Sequence, residues 1–269
     1  MADCDVRVAA CVTPAELLGR RGERLRREGL GVELDLGNAW LPPPPRLPSG
    51  PPLRALAAAL RTAPWASAHG PHHHLDLVAT DATVAAHARA SWRRAIRLCG
   101  VLGLRRMVVH SGLPFRRDAD ASEGYIQRLL PVLAEMAVLA REEGVTLLLE
   151  NTTELFPDVL TPVFEAMPDV GFCFDPAHAR AFAAEPDPVV WLRELGPFWE
   201  HLHVSGTRDG FDAHLPLRDG DDTSDVALPL LSAPERMVVV LETSPFVPED
   251  VAWITRVRQE APWLRAPLS

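Results

Sequence analysis

The chain has 269 residues, 47% hydrophobic and 23% charged, which are the proportions of a globular protein and exclude a disordered or fibrous one. Its net charge of −9 opposes broad binding to a phosphate backbone, which relies on basic stripes. All 27 residues counted as Lys+Arg are arginine, so a lysine Schiff base and a lysine general base are excluded.

The first residues, Met1-Ala2-Asp3-Cys4-Asp5, carry two acids where a secretory leader would be positive. No apolar stretch approaches the roughly 20 residues of a membrane span. A cytoplasmic, soluble protein is therefore expected. Cys4, Cys11, Cys99 and Cys173 show no CxxC spacing and read as buried free thiols.

Strands are predicted near residues 5–12, 31–37, 66–70, 106–111, 145–150, 170–175, 199–205 and 236–242. Several are short aliphatic runs with no polar alternation, the pattern of strands buried on both faces of a parallel sheet. Between the first two, Arg20, Arg21, Arg24, Arg26 and Arg27 alternate with glutamates and predict a solvated helix face. Pro42 to Pro52 reads as a stiff polyproline stretch. The clearest helix runs from Ala82 to Leu102, with Val84, Ala88, Trp92, Ala95, Cys99 and Leu102 at helical spacing and Asp81 as N-cap. Another spans Glu123 to Glu143 and stops at Gly144. Further helices are expected after Pro14, Pro52, Pro157 and Pro248, since proline favours a helix start. Eight strand-helix units with short connections predict an α/β fold, a closed (β/α)8 TIM barrel forming a single domain over residues 1–269. An open doubly wound sheet is the fallback, but no GxGxxG follows the first strand.

The chemistry lies at the strand ends. His69 precedes a Gly-Pro turn after the third strand, followed by His72, His73 and His74, which read as polar loop residues. His110 ends Met107-Val108-Val109. Glu150 follows three leucines, where a carboxylate is costly to bury without a cation or strong donors. Asp175 and His178 form Asp-Pro-Ala-His, and His203 closes the seventh strand with His201 two residues earlier on the same side. Asp212 and His214 share one loop, and Glu242 ends the last strand. Carboxylates and imidazoles at the carboxyl ends of parallel strands converge where such folds build active sites. Without a metal they would repel or stay unpaired. The mixed donor set suits Zn²⁺, Mn²⁺, Co²⁺ or Mg²⁺.

Taken in order, His69-Gly70-Pro71, Val109-His110-Ser111-Gly112, Leu149-Glu150-Asn151-Thr152, Phe174-Asp175-Pro176-Ala177-His178, Leu202-His203-Val204-Ser205, Asp212-Ala213-His214 and Leu241-Glu242-Thr243 resemble the successive motifs of the xylose isomerase-like TIM barrel superfamily. That superfamily unites metal-dependent sugar isomerases and epimerases with the nucleases of AP endonuclease family 2, the endonuclease IV type. By this resemblance, Glu150, Asp175, His203 and Glu242 fall on the single-metal quartet of ketose epimerases. His69, His110, His178, Asp212 and His214 fall on the extra ligands with which endonuclease IV holds three zinc ions.

The resemblance implies first an isomerase or epimerase acting on a sugar or sugar phosphate through an enediolate, with Glu150 and Glu242 moving the proton and His178 contacting a substrate oxygen. The alternative is an apurinic-site phosphodiesterase in which water activated at a multinuclear zinc site attacks the phosphodiester. A metal- or ligand-binding barrel without turnover is third. Sugar chemistry ranks first because of the acidic charge, and because Ser205-Gly206 and His72-His73-His74 depart from the nuclease pattern. The implied partner is a small sugar substrate, with nucleic acid second, no membrane, and a second copy of the chain in a homodimer. Arg208 is a candidate for gripping a substrate phosphate.

Overall fold

Eight strands form a closed parallel barrel in the computed structural model, which describes residues 7–37, 49–73, 75–115, 119–220, 224–233 and 237–260. Cys4, the prolines 42–45 and His74 lie outside the described residues. In chain order the strands are β1 (Arg7–Val12), β2 (Gly31–Asp35), β3 (Ala66–His69), β4 (Arg106–His110), β5 (Thr146–Glu150), β6 (Gly171–Phe174), β7 (Trp199–Val204), β8 (Gly206–Arg208), β9 (Phe211–Leu215) and β10 (Val238–Leu241). Around the barrel they run β1-β10-β7-β6-β5-β4-β3-β2, so β1 closes on β2. All eight predicted barrel strands are present within one or two residues of the expected bounds.

The helices are α1 (Pro14–Leu17), α2 (Arg20–Arg27), α3 (Pro51–Leu60), α4 (Ala82–Leu102), α5 (Ala119–Glu142), α6 (Thr161–Ala166), α7 (Pro176–Phe182), α8 (Pro188–Leu195), α9 (Ser224–Ser232) and α10 (Pro248–Glu260). Helix α4 has the predicted bounds because both of its ends are defined chemically. Asp81 accepts hydrogen bonds from Thr83 N and Val84 N, and Gly103 takes φ +75°, a left-handed C-cap that glycine adopts at little cost. Of its predicted stripe, Ala88, Trp92, Ala95, Cys99 and Leu102 are buried, while Val84 is exposed and Ala85 packs inward in its place. The segment after Pro157 is only a 3-10 turn (Pro157–Val159), with α6 starting at Thr161.

The main core lies between barrel and helices, where Trp92, Phe164, Phe172, Phe174 and Trp191 are almost wholly buried. Each fully buried aliphatic or aromatic side chain of this layer contributes roughly 1.5–3 kcal/mol. Inside the barrel the apolar filling is small: Ala9, Val238 and Val240 on one side, Val108, Leu148 and Cys173 on another. The rest of the interior is polar. Cys11, Cys99 and Cys173 are free thiols, with Cys11 only half-buried. Among the described residues no helix is long and apolar enough to cross a membrane.

Beyond the eight barrel strands, β8 and β9 pair antiparallel in a hairpin directly after β7. Asp209 and Gly210 take positive φ at its turn, as a tight hairpin connection requires. The hairpin stands over the carboxyl-terminal mouth and carries Asp212 and His214 toward α7, which β9 contacts.

Candidate metal centre

The carboxyl ends of the strands deliver donors to one place because the parallel strands of a closed barrel all end at the same mouth. Glu150 ends β5 in register with His110 at the end of β4. Asp175 follows β6 and is clamped to the end of β5 by a two-way bond. Asn151 Nδ2 donates to the Asp175 carbonyl at 2.7 Å, and Asp175 N donates to Asn151 Oδ1 at 2.7 Å. Asp175 also caps α7, its Oδ1 accepting from Ala177 N at 2.6 Å and His178 N at 3.1 Å. Its Oδ2 is buried without a hydrogen-bond partner.

The nine predicted residues gather in three overlapping sets around Glu150. In the first, His110 Nε2 lies 3.0 Å and His69 Nε2 3.4 Å from Glu150 Oε2. In the second, His203 Nδ1 lies 3.1 Å from Glu150 Oε1 and 3.3 Å from Glu242 Oε1, and the Asp175 carboxyl feels the charges of both His203 and Glu150. In the third, His178 Nε2 and His214 Nε2 lie 3.3 and 3.1 Å from Asp212 Oδ2. His178 Nδ1 joins the sets, 3.3 Å from Glu150 Oε1 and 3.8 Å from Asp175 Oδ2.

Four of the five imidazoles have their outward nitrogen occupied, which fixes the ring and leaves the other nitrogen for a cation. His69 Nδ1 faces the Gly70 carbonyl at 3.0 Å, His178 Nδ1 the Asn151 carbonyl at 2.9 Å and His214 Nδ1 the Glu242 carbonyl at 2.8 Å. His203 is reversed: its Nε2 lies 2.9 Å from Glu33 Oε1 and its Nδ1 faces the site. Depth grades the sets. Glu150, Asp175 and His203 are fully buried, whereas the His214 side chain is 40% exposed.

Electrostatics describe a site whose charge is balanced by protons. Burial alone would raise the Glu150 carboxyl, but His203 and His110 hold it well below the carboxylate range. Burial opposes protonation of His69, yet Glu150 and Glu242 raise it to about 9. The bond to Asp212 raises His214 to about 9. His178 and His203 are also raised, against their burial, by the surrounding carboxylates. Burial pushes His110 down to about 4 and raises Glu242 and Asp175. Divalent ions fit this donor set: imidazole and carboxylate suit zinc and its neighbours, the orphaned Asp175 oxygen lacks a partner, and a cation would displace the protons.

The sets open onto a cleft of about 470 Å³ lined by His69, His72, His110, His178, His214 and Glu242. His72, expected to be a bland loop residue, is part of this wall, with burial pushing it to about 2. Arg21 is the second correction. The predicted solvated face holds for Arg24, paired with Glu28, but Arg21 turns into the cleft wall, paired with Glu16 at 2.8 Å and donating to the Cys11 carbonyl at 3.1 Å. Arg208 does not reach the cleft and donates instead to the Asp219 carbonyl at 3.0 Å. Tyr125 is buried and bonded to Asp76 Oδ1 at 2.9 Å.

Sequence reasoning missed Glu33, which is fully buried in the barrel interior. The signal was one acid inside the run Gly31-Val32-Glu33-Leu34, where every neighbour is apolar.

The profile of the xylose isomerase-like TIM barrel family matches residues 30–266. No curated protein sequence matches the chain significantly. The TTHB071 protein of Thermus thermophilus, from a crystal soaked with zinc chloride, is 32% identical, with a TM-score of 0.80 and coverage of 95% of this chain and 99% of that one. A D-tagatose 3-epimerase-like protein is 17% identical (TM-score 0.72, coverage 97% and 98%). Endonuclease IV from Thermus thermophilus is 22% identical (TM-score 0.66, coverage 94% and 97%). The last two likenesses are of fold alone. With the profile spanning most of the chain, the protein belongs to the xylose isomerase-like TIM barrel family.

Proposed function

We propose that this chain is a hydrolase of phosphate esters working with a cluster of divalent ions, zinc being the best-matched. This reverses the order given by sequence, where sugar isomerisation stood first. The observation that carries it is the position of Glu150, whose two oxygens serve different imidazoles: Oε2 faces His69 and His110, Oε1 faces His203 and His178. A carboxylate so placed would be shared by two ion sites. A one-metal epimerase needs only the Glu150, Asp175, His203 and Glu242 quartet, and leaves His69, His110, Asp212 and His214 without a role.

In this reading His69, His110 and Glu150 would hold one ion, Glu150, Asp175, His203 and Glu242 a second, and His178, Asp212 and His214 a third. Bound ions supply Lewis acidity toward phosphoryl oxygens and water that ionises near neutral pH. The chain's own residues then do the positioning. Asn151 holds Asp175 against the end of β5. Carbonyls of Gly70, Asn151 and Glu242 keep three imidazoles in the tautomer that presents Nε2. The Arg21 guanidinium, held on the cleft wall by Glu16 and the Cys11 carbonyl, places a positive charge where an anionic substrate oxygen would enter. The 32% identical relative, whose crystals were soaked with zinc chloride, supports zinc as the probe.

The test pairs two assays on zinc-loaded protein. Hydrolysis of bis(p-nitrophenyl) phosphate or nicking of an abasic-site duplex, lost in Glu150→Gln, is the expected result. Epimerisation of a free ketose with no phosphoester hydrolysis would restore sugar chemistry to first place.

A further inference from the structure

Glu33 has no place in the donor sets, yet it is fully buried and paired with two imidazoles and a hydroxyl. It sits on β2, and its Oε2 accepts from His201 Nε2 at 2.9 Å and Ser67 Oγ at 2.8 Å. Its Oε1 pairs with His203 Nε2 at 2.9 Å, off the line of an ideal hydrogen bond. Strands β2 and β7 are separated by β1 and β10 in the barrel order, so this contact crosses the interior. All three partners are buried with it. Isolated carboxylates in such a place cost several kcal/mol, and apolar residues of the same volume would fill the barrel more cheaply. Something other than packing accounts for an acid here.

The reversed imidazole gives the reason. The other three fixed histidines donate Nδ1–H to backbone carbonyls and present Nε2. His203 has a carboxylate behind it and presents Nδ1 to Glu150 and Glu242. An ionised acceptor draws harder on an N–H than a carbonyl does and makes the far nitrogen a stronger donor. His201, held by the same carboxylate, keeps Glu33 from turning away.

We propose that Glu33 is the positioning residue of the centre: by drawing on the Nε2 proton of His203 across the barrel, it fixes that histidine as an Nδ1 ligand and strengthens its grip on the second ion. This rests on the reading above that His203 holds an ion.

The test is competitive zinc titration of the full chain against a chromophoric chelator, in wild type and Glu33→Gln. The variant is expected to hold one ion roughly 10–100-fold more weakly and the others as wild type does. Equal affinity for every ion in the two proteins would overturn the proposal. The melting temperature of the metal-free chains separates a structural loss, which would move it without selecting one ion. Should Glu33→Gln fail to fold, ¹⁵N-histidine NMR of zinc-loaded wild type gives the answer directly. One imidazole bonded to zinc through Nδ1 and carrying a proton on Nε2 is expected; finding every ligand bonded through Nε2 would overturn the assignment. Wild type that takes up no zinc would instead bring down the reading of His203 as a ligand.

Discussion

The second and third donor sets present the same chemistry in opposite settings. Glu150, Asp175 and His203 come from strand ends and are fully buried, with the Asn151 clamp and the α7 cap fixing Asp175 and the Glu33 carboxylate standing behind His203. Asp212 and His214 ride on a hairpin, with the His214 side chain 40% exposed and its backbone at a φ of +47°. Strand ends are ordered by the barrel ladder before any ion arrives. The hairpin donors are tied to the barrel through His178 and the Glu242 carbonyl and are more exposed, so their ion is expected to exchange faster and to be lost first when metal is withdrawn.

The largest effect that can break this comparison falls on the buried set. Glu150→Gln removes the charge shared by two sets, and phosphoester turnover is expected to drop well beyond the roughly 10–100-fold typical of outer contacts, with two ions lost in metal analysis. Retention of all ions would refute the bridging role. Next comes the scaffold beneath it. Leu148→Ala, inside the barrel two residues before Glu150, is expected to cost about 2–5 kcal/mol in denaturant unfolding, whereas Phe211→Ala on the hairpin, 72% exposed, should stay within about 0.5 kcal/mol. Similar costs at both positions would erase the distinction. His214→Ala is expected to remove one ion and to lower the metal-free melting temperature at pH 6.5 and below, where the protonated ring pairs with Asp212; metal analysis and a melting curve check the two together.

Acidity separates the states more gently. His69 and His214, raised from 6.5 to about 9 in the metal-free fold, contribute stability that is fully present below pH 6.5 and is lost as pH rises toward about 9. Zinc must displace those protons, so its affinity should climb over the same interval. A metal-free melting temperature flat from pH 6.5 to 9 would contradict the proton-balanced site.

How much of this is legible in the sequence follows from what determines each part. Strands buried on both faces appear as bare apolar runs, so all eight barrel strands and their ionisable ends can be read from runs such as Leu147-Leu148-Leu149-Glu150. The nine site residues sit at those ends or in the turns after them, which is why their convergence is readable. Glu33 is not, because its meaning depends on His201 and His203, some 170 residues away and across the barrel. Arg21 looks like its arginine neighbours until the fold turns α2 so that it meets Glu16 and the Cys11 carbonyl. The β8-β9 hairpin hides because Gly206-Thr207-Arg208 has little apolar content to mark a strand. The proposed order of activities rests on geometry that the sequence does not carry: spacing names the ligands but cannot show which oxygen of Glu150 each imidazole faces.

Anomalous diffraction from zinc-soaked crystals tests the central claim most directly. The account predicts separate zinc peaks on the two sides of the Glu150 carboxylate, one beside His69 and His110, the other beside His203 and Glu242, with a third, weaker peak between His178, Asp212 and His214. A single peak confined to the Glu150, Asp175, His203 and Glu242 quartet would contradict it.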